Sequence, residues 1–436
     1  MKRSLILVTL VLIAVSCQKT PKNSPVEATV TLQMNGSAYL EEGVTVTLRD
    51  QNSSAAYEST TDETGTATFN VLPGFYEAVA QFKMAADGKA YVYNGVNSNV
   101  TVAKDAQNAF FLPLVESVTN QVVIKELYTG GCTYTKEDGS TASFQNDAYV
   151  ILYNNSDQPA DASDFCFAGS KPENSNATNK YRVDGVLSYE SLGWIPAAQA
   201  IWWFETNVTI PAYSQIVIAI KGAIDNTATY PESVNLSNAD YAMYDPEAGM
   251  NAEKTYPAPS DGIPTSNYLQ TAPFSAGTAW TISVTSPAFF VFRHSNPDVL
   301  SEDTAGYDYT TGNNFPCVKV PVESIVDGIE VYAAGKDDKN NKRLTSAVDA
   351  GYIHFSNKLG YTLYRNVDKQ ATEAISGNKE KLIYNYAGGT ADIEDGSTDP
   401  SGIDAEASMK NGAVIIYKDT NNSSMDFHQR KVSSLK

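Results

Sequence analysis

The chain has 436 residues, with 31 Lys and Arg against 50 Asp and Glu and a formal net charge of −19. An acidic excess spread along the chain argues against nucleic acid or an anionic bilayer surface as a partner, since both need basic patches. Charged residues make up 19% and apolar residues 42%, the balance of a folded chain rather than a disordered one.

At the start, Lys2 and Arg3 precede a largely apolar run, Leu5 to Val15. It is too short to cross a bilayer, which takes ~20 residues, and reads as the apolar region of a signal peptide. In Ile13-Ala14-Val15-Ser16-Cys17 small residues stand just before a thiol, as a lipoprotein signal peptidase requires. Residues 1–16 are therefore expected to be removed and Cys17 to be lipidated. Losing Lys2 and Arg3 takes the charge from −19 to about −21. No later segment is long and apolar enough to span a membrane, so lipid is the expected anchor, each buried methylene adding ~0.8 kcal/mol. Residues 17–25 make a polar tether. Bacteroidota-type surface lipoproteins carry an acidic run here; Gln18-Lys19 resembles its start, but Thr20, Pro21 and Lys22 stand where acids belong. Surface and periplasmic faces of the outer membrane both stay open.

From 26 to 117 the chain alternates with period two, the mark of half-buried strands. Val44, Val46 and Leu48 share one face; Ala67, Phe69 and Val71 repeat the pattern after Thr61-Asp62-Glu63-Thr64-Gly65, where Asp opens a turn and Gly closes it. Leu72-Pro73-Gly74-Phe75-Tyr76 marks another turn. This succession resembles the carboxypeptidase-regulatory-like domains, which implies a small prealbumin-like, seven-stranded sandwich acting as a spacer.

From 118 to 436 the pattern changes. Val122-Val123-Ile124-Lys125-Glu126-Leu127-Tyr128 and Tyr149-Val150-Ile151-Leu152-Tyr153-Asn154 read as strands. Together with Thr209 to Ala219, Ile325-Val326-Asp327-Gly328-Ile329-Glu330-Val331, Tyr361 to Arg365 and Asp419 to Phe427, they resemble the lamin-tail-like domains in the expected order. Leu152 stands near the position where those domains carry Glu. The resemblance implies a second, larger sandwich of immunoglobulin type with long insertions. The whole arrangement resembles a family of lipoproteins grouped as domain of unknown function 4876, some of them set beside TonB-dependent receptors in nutrient or metal uptake loci. The largest insertion, 225–277, has almost no periodicity, and loops of that length are often functional. Residues 388–406 read as an acidic, mobile stretch, and Lys369 to Lys379 as the one short helix.

Catalytic signatures are missing: no G-x-S-x-G elbow, phosphate-cradling glycine loop, H-E-x-x-H or C-x-x-C occurs. His294, His354 and His428 lie far apart, and no catalytic residue, metal or cofactor is assigned. Cys132, Cys166 and Cys317 read as buried structural thiols, or as one disulfide with a spare; a Cys132–Cys166 pair is open. Asp419-x-Asn421-x-Ser423 alternates oxygen donors but lacks the glycine and terminal glutamate of a calcium loop. The best binding candidate is the cluster of Trp194, Trp202 and Trp203, with Phe204 beside them and Trp280 beyond the insertion. On a strand Trp202 and Trp203 point to opposite faces. Either one ring stacks on a sugar or an apolar ligand, or both faces are buried, one in the core and one under the insertion.

The reading is an all-β chain of two sandwiches on a lipid anchor. It serves as a binding or accessory protein of an outer-membrane uptake system; the alternatives are a structural or adhesive envelope protein and, third, a glycoside hydrolase.

Overall fold

The computed structural model describes residues 24–436, apart from 54, 87–88, 172–173, 177–178, 274–278, 281, 298–299, 301–306, 309–316 and 337. The signal segment 1–16 and Cys17 lie outside the described residues. The fold is all-β, its strands gathered in several sheets, with three short α-helices among the described residues. The chain divides into two compact units. One runs up to Ala80 and takes in Gly95–Pro113; the other comprises Gln81–Asn94 and Leu114–Lys436.

In the first unit, strand Val26–Met34 pairs antiparallel with Thr66–Val71 and parallel with Ala109–Val118, while Thr45–Asp50 pairs with Ala56–Thr60 and Gly74–Ala86. Val30, Leu32, Val46, Leu48, Ala67, Phe69 and Val71 are buried, so the period-two faces point inward as the sequence indicates. The Asp62–Gly65 turn closes through the Gly65 amide on the Asp62 carbonyl at 2.9 Å. Gly65 has φ +72°, and a Cβ there would lie 2.0 Å from the Tyr39 carbonyl oxygen, so only glycine fits. The Tyr76 hydroxyl ties the next turn by donating to the Leu72 carbonyl at 2.7 Å.

The second unit is built on two six-stranded sheets. The first runs Tyr241–Ala242, Gln215–Ala219, Tyr149–Asn154, Val122–Tyr128, Thr362–Arg365, Phe427–Arg430; the second runs Gln270–Pro273, Ala200–Trp203, Phe165–Gly169, Ala288–Arg293, Ile325–Ala333, Ile353–Phe355. Val150, Leu152, Phe165, Phe167, Phe289 and Val291 form one core between them. Their outer faces are covered too. On the first sheet, Val123, Tyr153 and Tyr364 pack beneath Leu382, Ile403 and Ile415, and Tyr128, Tyr149 and Ile151 beneath Val234, Leu236 and Ile263. On the second, Ile201, Phe290 and Phe292 pack beneath Ile195, Val318 and Val320 of a smaller sheet. Every residue of Val122–Tyr128 and of Tyr149–Asn154 is consequently buried.

Two loop expectations change. Insertion 225–277 is part of the core: Met243, Met250, Tyr256 and Leu269 pack with both sheets, and the Asn226 amide bonds the carbonyls of Gly222, Ile224 and Val234. The stretch 388–406, expected to be mobile, buries Thr390, Asp399 and Ile403, and Asp399 accepts the Val367 amide at 2.9 Å. The helix expected at 369–379 spans Lys369–Ala374, N-capped by Asp368. A second helix, Ala405–Lys410, is capped by Asp404 in the same way.

Candidate functional site

The tryptophans belong to the core. Trp202 and Trp280 are fully buried between the sheets, where Trp202 meets Tyr256 of the insertion with ring centroids 5.9 Å apart. Trp203 is 8% exposed on the other face of its strand, packed with Ile195 and Val320. It therefore lies under the smaller sheet, and the insertion covers Trp202 instead. Trp194 is half-buried, with Tyr189 on one side and the Lys319 ammonium 5.4 Å from its ring centroid. None of these rings offers an open stacking face of the kind a sugar needs.

Burial also decides the candidate nucleophiles and bases. Cys132, Cys166 and Cys317 are buried and none is in a disulfide. Burial pushes the Cys132 thiol up to about 11 and raises Cys166 as well, so both stay protonated and inert. His428 lies between the Tyr386 hydroxyl at 2.7 Å from Nε2 and Asn366 Oδ1 at 2.8 Å from Nδ1. The Asn366 amide donates to the Met425 carbonyl, which turns its oxygen toward the ring and makes Nδ1 the donor. Burial, with Arg430 nearby, pushes His428 down to about 3, so it is a neutral structural imidazole.

The motif residues that carried the lamin-tail resemblance meet in space. A bulge leaves Val326 unpaired opposite Val291 and Phe292, so Val326 and Asp327 can both turn inward. Asp327, on the second sheet, accepts the Ile124 amide at 2.6 Å and the Arg365 guanidinium, both from the first. Arg365 Nε donates to the Ile124 carbonyl at 2.6 Å, and Nη1 to the Lys418 carbonyl at 3.0 Å. Asp419 and Asp426 flank Nη1 at 3.6 and 3.7 Å, and the guanidinium lies over the Phe427 ring. Burial pushes Asp327 and Asp426 up, and Arg365 opposes it.

Glu330, three residues on, faces the opposite way. It accepts the Arg343 and Leu344 amides, each at 2.7 Å, and the Asn174 side-chain amide at 2.6 Å. At Gly328 a Cβ would press on Leu344 and Val348 at 3.0 and 3.1 Å, so glycine lets that loop lie close on the strand. The Asp-Gly-x-Glu run is thus a clamp: Asp holds the facing sheet, Gly admits the loop and Glu grips it. The oxygen donors of 419–423 are likewise spent separately, Asp419 beside Arg365, Asn421 toward the cavity described next, and Ser423 Oγ on Asp349. No group of His, Cys, Asp and Glu among the described residues could hold a metal ion.

Beside this clamp lies a cavity of about 620 Å³, within the usual range of small-molecule sites. Val322, Ile325, Val326 and Val348 give it apolar walls; Asn120, Asn421, Glu116 and Glu323 supply the polar positions. The frame places Asn120, Val322 and Asn421. The Asn120 amide donates to the Ile325 and Val326 carbonyls at 3.2 and 2.8 Å, fixing the approach to strand Val122–Tyr128. Val322 lies on a single 3-10 turn that ends strand Cys317–Pro321. Asn421 has φ +49°, held where Asp426 accepts the Thr420 and Asn422 amides at 2.8 and 3.2 Å and Asn421 itself accepts the Ala350 amide at 2.7 Å. Sequence reasoning missed this cavity because its walls come from five distant segments. The one local signal was the Ile325-Val326 pair opening the Asp-Gly-x-Glu strand.

Residues 213–394 match the model of a family described as protein of unknown function (DUF4876). The matched stretch holds Asp327, Glu330 and Arg365, together with Val322, Ile325, Val326 and Val348 of the cavity wall. The crystal structure of a DUF4876 family protein from Bacteroides thetaiotaomicron VPI-5482 is similar in fold. It has 19% identity, covers 94% of this chain and 96% of that one, and gives a TM-score of 0.52. Weaker alignments reach a DUF3823 family protein from Parabacteroides merdae ATCC 43184 (13% identity, 34% of this chain and 68% of that one, TM-score 0.16) and fervidolysin from Fervidobacterium pennivorans (12%, 32% and 27%, TM-score 0.18). No curated protein matches the chain.

Proposed function

We propose that this chain is a lipid-anchored binding protein of the bacterial outer membrane, accessory to an uptake system such as a TonB-dependent receptor. Its cavity takes a small molecule with an apolar body and a hydrogen-bonding end. The observation that carries the binding role is the 620 Å³ cavity, walled by valine and isoleucine with asparagine and glutamate among its lining. The anchor rests on the apolar run Leu5 to Val15 and on Cys17. The regulatory-like and lamin-tail-like resemblances fit a spacer followed by a binding module.

Cells fed an alkyne fatty acid are expected to label the wild-type chain and not Cys17→Ala. An unlabelled wild type would remove the anchor from the reading. For the cavity, the neutral dye Nile red serves as an apolar probe on protein produced from Gln18 onward. We expect one dye per chain with blue-shifted emission. Ala347→Trp, which fills the cavity from a half-buried wall position, is expected to weaken binding at least about tenfold, ~1.4 kcal/mol, with little change in the unfolding midpoint. Equal binding by both proteins, or none by the wild type, would contradict the assignment.

A further inference from the structure

A second cavity, of about 420 Å³, carries chemistry of another kind. It lies toward the far end of strand Ile325–Ala333 from the apolar cavity. Ser175, one of its lining residues, hydrogen-bonds Ser286, and the neighbouring Pro287 carbonyl accepts the Val331 amide. Lys221, just past the end of strand Gln215–Ala219 of the first sheet, and Lys171, just past strand Phe165–Gly169 of the second, both line it, as do Asn146, Ser283 and Thr285. The backbone sets Lys221 deliberately. The Ile220 and Lys221 amides both donate to the Ala148 carbonyl, at 2.8 and 3.0 Å, so the strand cannot run on past this point. Gly222 then turns at φ +63°, where a Cβ would fall 2.2 Å from the Asn146 carbonyl oxygen.

Lys221 is only 6% exposed, yet its ammonium has no hydrogen bond or ion pair among the described residues. A buried unpaired charge is costly, and it normally loses its proton or finds a counter-ion. Burial and the positive charge of Lys171 push Lys221 down to about 8, while Asp147 pulls it back up. The Asp147 carboxylate is itself engaged by the Tyr128 and Ser233 hydroxyls, at 3.0 and 2.7 Å. At neutral pH the ammonium therefore keeps most of its charge with no direct partner among the described residues. Two ammonium groups in one cavity with hydroxyl and amide donors match the oxygens of a small anion.

We propose that this cavity is a binding site for a small molecule bearing a phosphate or a carboxylate, held between Lys221 and Lys171. The site is separate from the apolar cavity and does not depend on it.

Thermal unfolding of the whole mature chain tests this, in sodium phosphate and in sodium succinate, each against sodium chloride at equal ionic strength. A ligand that binds only the folded state raises the midpoint, so ~20 mM of the right anion should raise the wild type by about 2 °C or more over chloride. A rise in phosphate alone assigns a phosphate, and in succinate alone a carboxylate. Lys221→Met should abolish the rise while remaining at least as stable in chloride, because it removes a buried unpaired charge. Lys171→Met, at a less buried position, should reduce the rise and serves as the second variant should Lys221→Met fail to fold. Equal shifts in wild type and variants would mean general salting effects and would overturn the site, as would no rise in either salt.

Discussion

Replacing Arg365 with alanine should cost the second unit about 3–5 kcal/mol, the usual loss when one partner of a buried ion cluster is removed. Three carboxylates, Asp327, Asp419 and Asp426, surround this one guanidinium, and all four side chains are almost fully buried. Alanine would leave those acids without the Arg365 counter-charge and take the guanidinium donors from the carbonyls of Ile124 and Lys418. It would also weaken the tie between the two sheets, leaving Asp327 only the Ile124 amide across the gap. The four tryptophans all lie in the second unit, so urea unfolding followed by tryptophan emission reports on that unit alone. The deficit should also depend on pH. Burial raises Asp327 and Asp426 above their unfolded values, so the folded state holds more protons than the unfolded state over this window. Their contribution is therefore full below the ordinary carboxylate range and is lost as pH rises toward neutrality. Without Arg365 the carboxylates rise further, and the variant should recover part of its loss at about pH 5 relative to pH 8. A loss under ~1 kcal/mol, or one independent of pH, would show that the cluster does not hold the sheets together.

Replacing Glu330 with alanine is the second large effect. Its carboxylate satisfies three buried donors: the Arg343 and Leu344 amides and the Asn174 side chain. Leaving a buried donor unsatisfied costs about 1–3 kcal/mol, so the sum should reach several kcal/mol. Lys342, 3.4 Å from the same carboxylate, would lose that ion pair and keep only its bond to the Gly351 carbonyl. Glu330→Gln keeps the shape and one acceptor but presents an amide to a donor, so it should fall between wild type and alanine. A Glu330→Ala protein within ~1 kcal/mol of wild type would mean that the 341–344 loop is held by other contacts.

What was legible in the sequence follows from which faces water touches. In the first unit one face of each strand is solvated, so Val46 and Leu48 alternate with polar partners and the strands can be read directly. In the second unit Val122–Tyr128 is buried on both faces, and a doubly buried strand loses its alternation. Lys125 and Glu126 look like surface residues in that strand, yet both are buried. A bulge leaves Lys125 unpaired, and its ammonium meets Glu406 at 2.6 Å, while Glu126 accepts the Tyr149 hydroxyl at 2.8 Å. No local pattern announces partners 281 or 23 residues away. The insertion 225–277 was opaque for a related reason: its strands among the described residues, Tyr241–Ala242 and Gln270–Pro273, are short edge pieces, and the stretch between them packs by single side chains such as Tyr256. The tryptophan cluster was visible as a cluster, but its fate depended on covering layers from elsewhere in the chain. Net charge hid Lys171 and Lys221, because a global acidic excess says nothing of two cations that line one cavity from just beyond strands of different sheets.

The assignment of the apolar cavity is tested most directly by mapping where Nile red sits, using amide hydrogen exchange on the chain with and without the dye. If the cavity is the binding site, protection should rise in two stretches, 320–326 and 345–350, and only weakly elsewhere. The same mapping on Ala347→Trp should show no change at those amides. Protection confined to other strands, or the same pattern in both proteins, would contradict the assignment.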